Sequence, residues 1–292
     1  MGARAVRVRG GGGGAFAGPL GTREAGSGAR TGAGRPDRSP SRGHPRGPKR
    51  PAGVPGPGRA PHRPPPRLGR MTSRLLVYTR TTDYRHDSIP AGVAALRALG
   101  GFAVDATEDP AALEAPLDRY AAVVFLSTSG EVLTPAGRAR LAAYVEAGGG
   151  FAGVHAAACT EYDWPYYGEL LGARFARHPA HQPGRAVVED RAHPATRHLP
   201  AVWEFTDEWY DFRTNPRGRV HVLVRADESS YEGGGMGEDH PLAWCRDQGA
   251  GRVFYTALGH AAEAFDDPAF RAHLRGGIGW AARLGDGADR AG

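Results

Sequence analysis

The chain has 292 residues, with 37 Lys and Arg against 31 Asp and Glu, and a formal net charge of +6. Residues 1–70 hold 15 of the basic residues and only two acidic ones, so residues 71–292 carry a net charge of −7. A negative net charge over residues 71–292 does not favour a nucleic-acid partner, because nucleic acids are themselves negatively charged. The sequence also contains no run of apolar residues long enough for a membrane-spanning helix, and we expect no membrane partner.

Glycine and proline make up 30 of the first 70 residues, and apolar side chains are few there. Such a segment buries too little apolar surface to offset its conformational entropy, so we expect residues 1–70 to be a disordered leader. Met71 stands directly before the first strand-like run. We expect translation to begin at Met71, which would make the leader an over-extended gene prediction.

The first half of residues 71–284 alternates short apolar runs with segments of helical spacing. The apolar runs predict four buried strands, at 75–78, 102–106, 121–126 and 151–154. Helices are predicted from the N-cap candidates and apolar spacing over 88–99, 134–147 and 163–172. This alternation predicts a doubly wound parallel sheet.

The second half is richer in strands. We expect residues 178–219 to be irregular except for a strand at 186–189. Further strands are predicted at 220–224, 241–245 and 252–258, followed by a helix that begins at Asp267-Pro268 and a frayed tail at 285–292. We therefore predict one α/β domain over 71–284, with antiparallel strands added at one edge of a mostly parallel sheet.

Three histidines follow predicted strands. His86 lies in the loop after the first strand, His155 follows FAGV, and His260 comes two residues after VFYTAL. Because ligands bind at the carboxyl ends of parallel strands, we expect the three to meet at one edge as general acids, bases or metal ligands. The alternative for each is a buried structural histidine. The side on which His240 lies is left open.

The segment TDEWYDF combines acidic and aromatic side chains in Asp207, Glu208, Trp209 and Tyr210. Carboxylates that bind hydroxyl groups and aromatic faces that stack on a ring are typical of a sugar site. An amphipathic edge strand is the alternative. Trp164, in a second aromatic cluster, has the same two interpretations.

A divalent metal such as Zn²⁺ is a further possibility, with candidate ligands His86, His155, His240 and His260. The tight pair His178 and His181 lacks the helical context of an HExxH motif. The two cysteines, Cys159 and Cys245, form no CxxC motif, which favours a reducing, cytoplasmic setting. Cys159 is interpreted as a small buried side chain, with a nucleophile as the alternative.

Seven stretches carry a likeness to a known family: DYRHDSI (83–89), GGGFAGVHAA (148–157), EYDWPYYGELLGA (161–173), VEDRAHPATRHLP (188–200), TDEWYDFRTNPRG (206–218), MGEDHPLAWC (236–245) and GRVFYTALGH (251–260). They resemble the ThuA-like, or trehalose-utilisation, family over residues 74–283. The resemblance implies a three-layer, flavodoxin-like fold of the class I glutamine amidotransferase type.

Amidotransferases of that superfamily use a cysteine nucleophile at a strand–turn–helix elbow and a late His–Glu pair. In this sequence the elbow position holds His155, and the late histidine resembles His260. Glu263 lies one residue further on than that pattern places its glutamate. An imidazole is a poor substitute for a thiolate, so glutamine hydrolysis is not expected.

The resemblance implies a role in the catabolism of disaccharides through 3-keto sugars. We assign proton transfer to His155, His260 and Glu208. Substrate contacts are assigned to His86, Asp207, Trp209, Tyr210, His240 and Trp164. A non-catalytic sugar-binding or regulatory module and a metal-dependent hydrolase are the alternatives. A small-molecule sugar is the expected partner, and a homo-oligomer is left open.

Overall fold

The computed structural model describes residues 73–284. The predictions for the leader, for a start at Met71 and for the tail concern residues outside this range. No helix in the described range is long and apolar enough to cross a membrane.

Strands and helices alternate along the first half of the described chain, and strands dominate the second. The strands are β1 (Ser73–Tyr78), β2 (Phe102–Thr107), β3 (Ala122–Leu126), β4 (Gly150–Val154), β5 (Phe175–Arg177), β6 (Gln182–Val188), β7 (Val202–Asp207), β8 (Asp211–Phe212), β9 (His221–Asp227), β10 (Pro241–Gln248) and β11 (Gly251–Thr256). The helices are α1 (Ile89–Ala98), α2 (Ala111–Glu114), α3 (Pro135–Glu146), α4 (Pro165–Leu171) and α5 (Pro268–Ala281).

Nine of these strands form one sheet in the order β2-β1-β3-β4-β11-β10-β9-β6-β7. The first five run parallel, and each of the remaining four is antiparallel to its neighbour. β5 and β8 form a separate antiparallel pair. The predicted α/β fold, a mostly parallel sheet with antiparallel strands at one edge, is confirmed.

Helices cover both faces of the sheet because the central strands are apolar on both sides. In β11, Phe254 packs on His273 of α5. Its neighbour Tyr255 points to the opposite face and packs on Trp244, whose indole N–H donates to the carbonyl of Leu171 in α4. All five residues of β3 and of β4 are buried.

The segment 178–219 is where the sequence prediction was wrong. The predicted strand at 186–189 overlaps β6, but β6 begins earlier, at Gln182, and β7 lies where irregular chain was expected. Both strands alternate buried and exposed residues, as expected for the half-solvated side of an antiparallel sheet. This antiparallel arrangement returns β7 to the direction of β11, so the carboxyl end of β7 lies at the same edge as the carboxyl ends of the parallel strands.

Candidate functional site

His155 occupies a sharp turn between β4 and a 3₁₀ turn over His155–Cys159. Its φ angle is +51°, which is uncommon for a residue with a Cβ and is typical of a strained elbow. The side chain is fully buried. Its Nδ1–H donates to the carbonyl of Ala257 over 2.6 Å, so Nε2 carries the lone pair of the neutral ring.

Three other strand ends bring side chains to His155. Nε2 of His86, beyond β1, lies 3.1 Å from Nε2 of His155. Oε2 of Glu208, the residue after β7, lies 3.7 Å from the same nitrogen. His260, beyond β11, places Nδ1 3.0 Å from Oε2 of Glu208. We call His86, His155, Glu208 and His260 the histidine cluster.

Asp207 connects the two strand ends that carry Glu208 and His260. Its carboxylate is fully buried and accepts hydrogen bonds from the backbone N–H groups of Glu208, Gly259 and His260, over 2.8, 2.7 and 3.1 Å. Burial raises the pKa of this carboxyl group to about 7, against the opposing effect of these donors. Gly259 has a φ of +118°, which only glycine adopts readily, and this turn directs His260 toward the cluster.

The cluster combines neutral and charged groups. Burial, together with the nearby His260 charge, lowers the pKa of His86 to about 4. Burial also holds the pKa of His155 well below its ordinary value. Contact with the Glu208 carboxylate raises the pKa of His260. Burial acts to raise the pKa of Glu208, but the surrounding histidines have the larger combined effect, so the pKa of Glu208 is lowered.

Two further side chains touch the cluster. The hydroxyl of Tyr210 donates to Nε2 of His155 over 2.8 Å. Nδ1 of His178 lies 3.4 Å from Oε1 of Glu208, on the more exposed side. The sequence predicted Tyr210 as a sugar-stacking face and indicated no role for His178. The HPAH pair was the only signal for His178, and its position depends on β5, which was not predicted.

A cavity of about 540 Å³ opens in front of the cluster. His86, Glu208, Tyr210 and His178 border it, whereas His155 and His260 do not. Other lining residues include Asp83, Tyr84, Ser129, Cys159, Tyr162, Phe175 and Arg213. The volume and the mixture of aromatic, charged and hydroxyl groups suit a small polar ligand.

Four residues assigned to substrate contacts lie away from this cavity. Asp207 is occupied by backbone donors, and Trp209 is buried, stacked on Tyr231 at 4.9 Å. Trp164 stacks on Tyr166 at 5.2 Å. The fourth is His240, which is fully buried.

His240 belongs to a second group of titratable residues, with Glu228 and Asp211. Its Nδ1 lies 2.7 Å from Oε1 of Glu228, and its Nε2 lies 2.9 Å from the carbonyl oxygen of Tyr210. Both ring nitrogens of His240 therefore have partners. The structure does not bring this metal-ligand candidate into the histidine cluster.

The amidotransferase-like residues are arranged differently here. Glu263 is exposed in a 3₁₀ turn, Ala262–Asp266, and the carboxylate beside His260 comes from Glu208 instead. Burial raises the pKa of the Cys159 thiol to about 12, which keeps it in the unreactive protonated form.

A family model described as ThuA, trehalose utilisation, matches residues 74–281. The chain belongs to the ThuA family. This membership indicates a role related to carbohydrates. No curated protein matches the sequence.

Solved structures agree with this ThuA assignment. A ThuA-like protein from Parabacteroides merdae is 24% identical, with a TM-score of 0.61, over 72% of this chain and 90% of that one. A ThuA-like protein from Bacteroides uniformis is 25% identical, with a TM-score of 0.60, over 72% and 91% of the two chains. A cytoplasmic protein from Salmonella typhimurium is 13% identical, with a TM-score of 0.50 over 72% of this chain and 99% of that one, and shares the fold.

Proposed function

We propose that this ThuA-family chain is an enzyme that acts on a disaccharide or another glycoside, or on its 3-keto derivative, by proton transfer at the histidine cluster. The observation that carries the proposal is the convergence of three histidines and a glutamate from four strand ends beside a cavity of about 540 Å³. Family membership supports the sugar as the class of substrate.

The chemistry needed is proton removal next to a carbonyl group. A 3-keto group acidifies the neighbouring C–H bonds, so a positioned base can start an isomerisation or the elimination of the glycosidic oxygen, and a positioned acid can complete it. His86 and Glu208 border the cavity. Nε2 of His86 lies 3.1 Å from Nε2 of His155, and Oε2 of Glu208 lies 3.0 Å from Nδ1 of His260. Each group at the cavity therefore has a neighbour that can accept or return a proton.

The walls of the cavity fit a sugar. Tyr84 is 64% exposed beside His86 and presents an aromatic ring at the mouth. On another side, the guanidinium of Arg213 lies 4.4 Å from the centre of the Tyr162 ring. Aromatic surface together with hydroxyl and guanidinium donors is the combination that binds the faces and the edges of a pyranose.

A small-molecule sugar is the partner in this proposal, with no nucleic acid and no membrane surface. A cytoplasmic location is part of the same proposal. It is supported by the free thiols of Cys159 and Cys245 and by the name of the Salmonella protein with this fold. Self-association is compatible with the proposal and is not required by it.

The test is turnover by the purified full-length chain of a 3-keto disaccharide, such as 3-ketotrehalose, and of the parent disaccharide. We expect conversion of the keto sugar and its loss in His155→Ala and His260→Ala, with the folded circular dichroism spectrum retained. Full activity in both variants would refute the catalytic assignment. Binding of the sugar without any turnover would favour a non-catalytic sugar-binding module.

A further inference from the structure

The four ligand-type atoms of the histidine cluster lie close to one another. One nitrogen or oxygen atom from each of His86, His155, Glu208 and His260 lies within 4.8 Å of each of the others. The closest separations are 3.0, 3.1 and 3.7 Å. Zinc bonds of about 2.0–2.1 Å in a tetrahedron place ligand atoms roughly 3.3–3.5 Å apart, so the observed spacing fits an ion at the centre.

Hydrogen bonding within the protein does not account for the contacts of His155. Its Nδ1–H is used by the Ala257 carbonyl, which leaves one lone pair on Nε2. That lone pair faces the Tyr210 hydroxyl at 2.8 Å and Nε2 of His86 at 3.1 Å. One lone pair cannot satisfy both neighbours well, whereas convergent nitrogen lone pairs are the normal arrangement around a metal ion.

His260 has a ring nitrogen that faces the cluster without a hydrogen-bond partner. Its Nδ1 is buried and has no hydrogen bond to any atom of residues 73–284. In His260 this nitrogen lies 3.0 Å from Oε2 of Glu208, yet the two atoms are not aligned as donor and acceptor. Buried polar atoms are rarely left unpaired, and atoms that approach closely without alignment are typical of two ligands of one ion.

The surroundings of the cluster hold these side chains in place. The Ala257 carbonyl orients the His155 ring, as backbone carbonyls commonly do for metal-binding histidines. The buried Asp207 carboxylate fixes the backbone of Glu208 and His260 through three hydrogen bonds. The His240 group differs, because both nitrogens of its histidine already have partners. It carries no such inference.

We propose that His86, His155, Glu208 and His260 bind one divalent first-row metal ion, with Zn²⁺ as the best fit to three imidazoles and a carboxylate. Its use in catalysis rests on the proposed function, where it would polarise the sugar carbonyl. Ion binding itself is independent of the substrate. With the ion in place His155 and His260 serve as ligands, and Tyr210 and His178 are the neighbouring side chains left to move protons.

The test is metal content, measured on the full-length chain after removal of metal and dialysis against Zn²⁺ or Co²⁺ alone. We expect about one ion per wild-type chain and a Co²⁺ visible spectrum of tetrahedral type. In Glu208→Gln and His260→Gln the affinity should fall by at least about tenfold. The control is His221→Gln, which changes an exposed histidine that contacts Asp190 and no residue of the cluster, and this variant should bind as wild type.

A folded wild-type chain that takes up neither ion would overturn the proposal, as would two variants that bind as tightly as wild type. Circular dichroism identifies any variant that fails to fold. The metal content of the other variant and of the wild type then tests the proposal. Metal binding without sugar turnover would support the metal site and refute the proposed function. Turnover of a 3-keto disaccharide by metal-free protein would support the proposed function and refute a catalytic role for the metal.

Discussion

Tyr210 is the side chain best placed to assist chemistry without belonging to the ligand set. Its hydroxyl contacts Nε2 of His155 and borders the cavity, while its ring packs on His155 and Phe175 at 4.3 and 4.5 Å. The ring contacts keep it buried, so removal of the hydroxyl alone separates packing from proton transfer.

We expect Tyr210→Phe to lower kcat for the keto sugar by about 100-fold, the lower range for loss of a positioned proton donor. Metal content and the unfolding midpoint should stay near the wild-type values. Tyr162→Phe is the matched control, because its hydroxyl donates to the Phe175 carbonyl on the cavity wall and not to the cluster. Equal rates in both variants would show that Tyr210 only fills space.

His273, in α5, is a buried residue with no part in the site. Its Nδ1 hydrogen-bonds to the carbonyl of Ala195, and burial lowers its pKa to about 4 from an ordinary value of 6.5. As the pH falls below 6.5 the unfolded chain takes up this proton before the folded chain does. The contribution of the neutral ring to stability is therefore complete above pH 6.5 and is lost progressively toward pH 4.

The loss from this one group should be on the order of 3 kcal/mol between those two pH values. We expect His273→Phe, which keeps a ring, to weaken the dependence of the unfolding free energy on pH, measured by urea denaturation. Leu274→Ala is the control: it opens a cavity in the same helix and should lower stability by about 2–5 kcal/mol at every pH. An unchanged pH dependence in His273→Phe would contradict the assignment.

At the scale of elements, the site depends on strands that end at one edge. The positions of His86, His155 and His260 were predictable because β1, β4 and β11 are apolar runs recognisable in the sequence, and parallel strands place their carboxyl ends together. The position of Glu208 was not. It follows β7, whose alternating polar and apolar residues did not stand out. β7 regains the direction of β11 only after four successive antiparallel pairings in the sheet.

The orientation of the aromatic and acidic residues of TDEWYDF was also not predictable from the sequence. The pattern indicated a sugar site or an amphipathic edge strand. The strand is present as β7, whereas the sugar site stays a proposal. Asp207 and Trp209 point into the protein, whereas Glu208 and Tyr210 border the cavity. Which members of an alternating segment face a ligand depends on the register of β7 against β6, and that register is a long-range property.

Asp207 links β7 to the turn after β11, and we expect Asp207→Asn to disrupt that link. The amide N–H₂ would meet at least one backbone N–H that now donates to a carboxylate oxygen. The unfolding free energy should fall by about 1–3 kcal/mol, the usual cost of a buried donor without an acceptor. Urea denaturation measures this, and wild-type stability in the variant would show that the backbone donors find other acceptors.

At the scale of the whole molecule, the site is built from both halves of the sheet. The parallel half supplies the residues that follow β1, β4 and β11, and the antiparallel half supplies the residue that follows β7. The residues of the site span positions 86 to 260, so the complete domain has to fold before the cluster exists. The charge of +6 that characterises the chain as a whole does not describe this part, because residues 71–292 carry −7. A net charge of −7 is compatible with a neutral sugar as the substrate.

In the proposed function, Glu208 and not Glu263 is the carboxylate that acts beside His260. The most direct test of this claim compares 3-ketotrehalose turnover by Glu208→Gln and Glu263→Gln in the full-length chain. We predict a loss of about 100-fold or more in kcat/KM for Glu208→Gln, with wild-type turnover in Glu263→Gln. Wild-type turnover in Glu208→Gln, or a comparable loss in Glu263→Gln, would contradict the account.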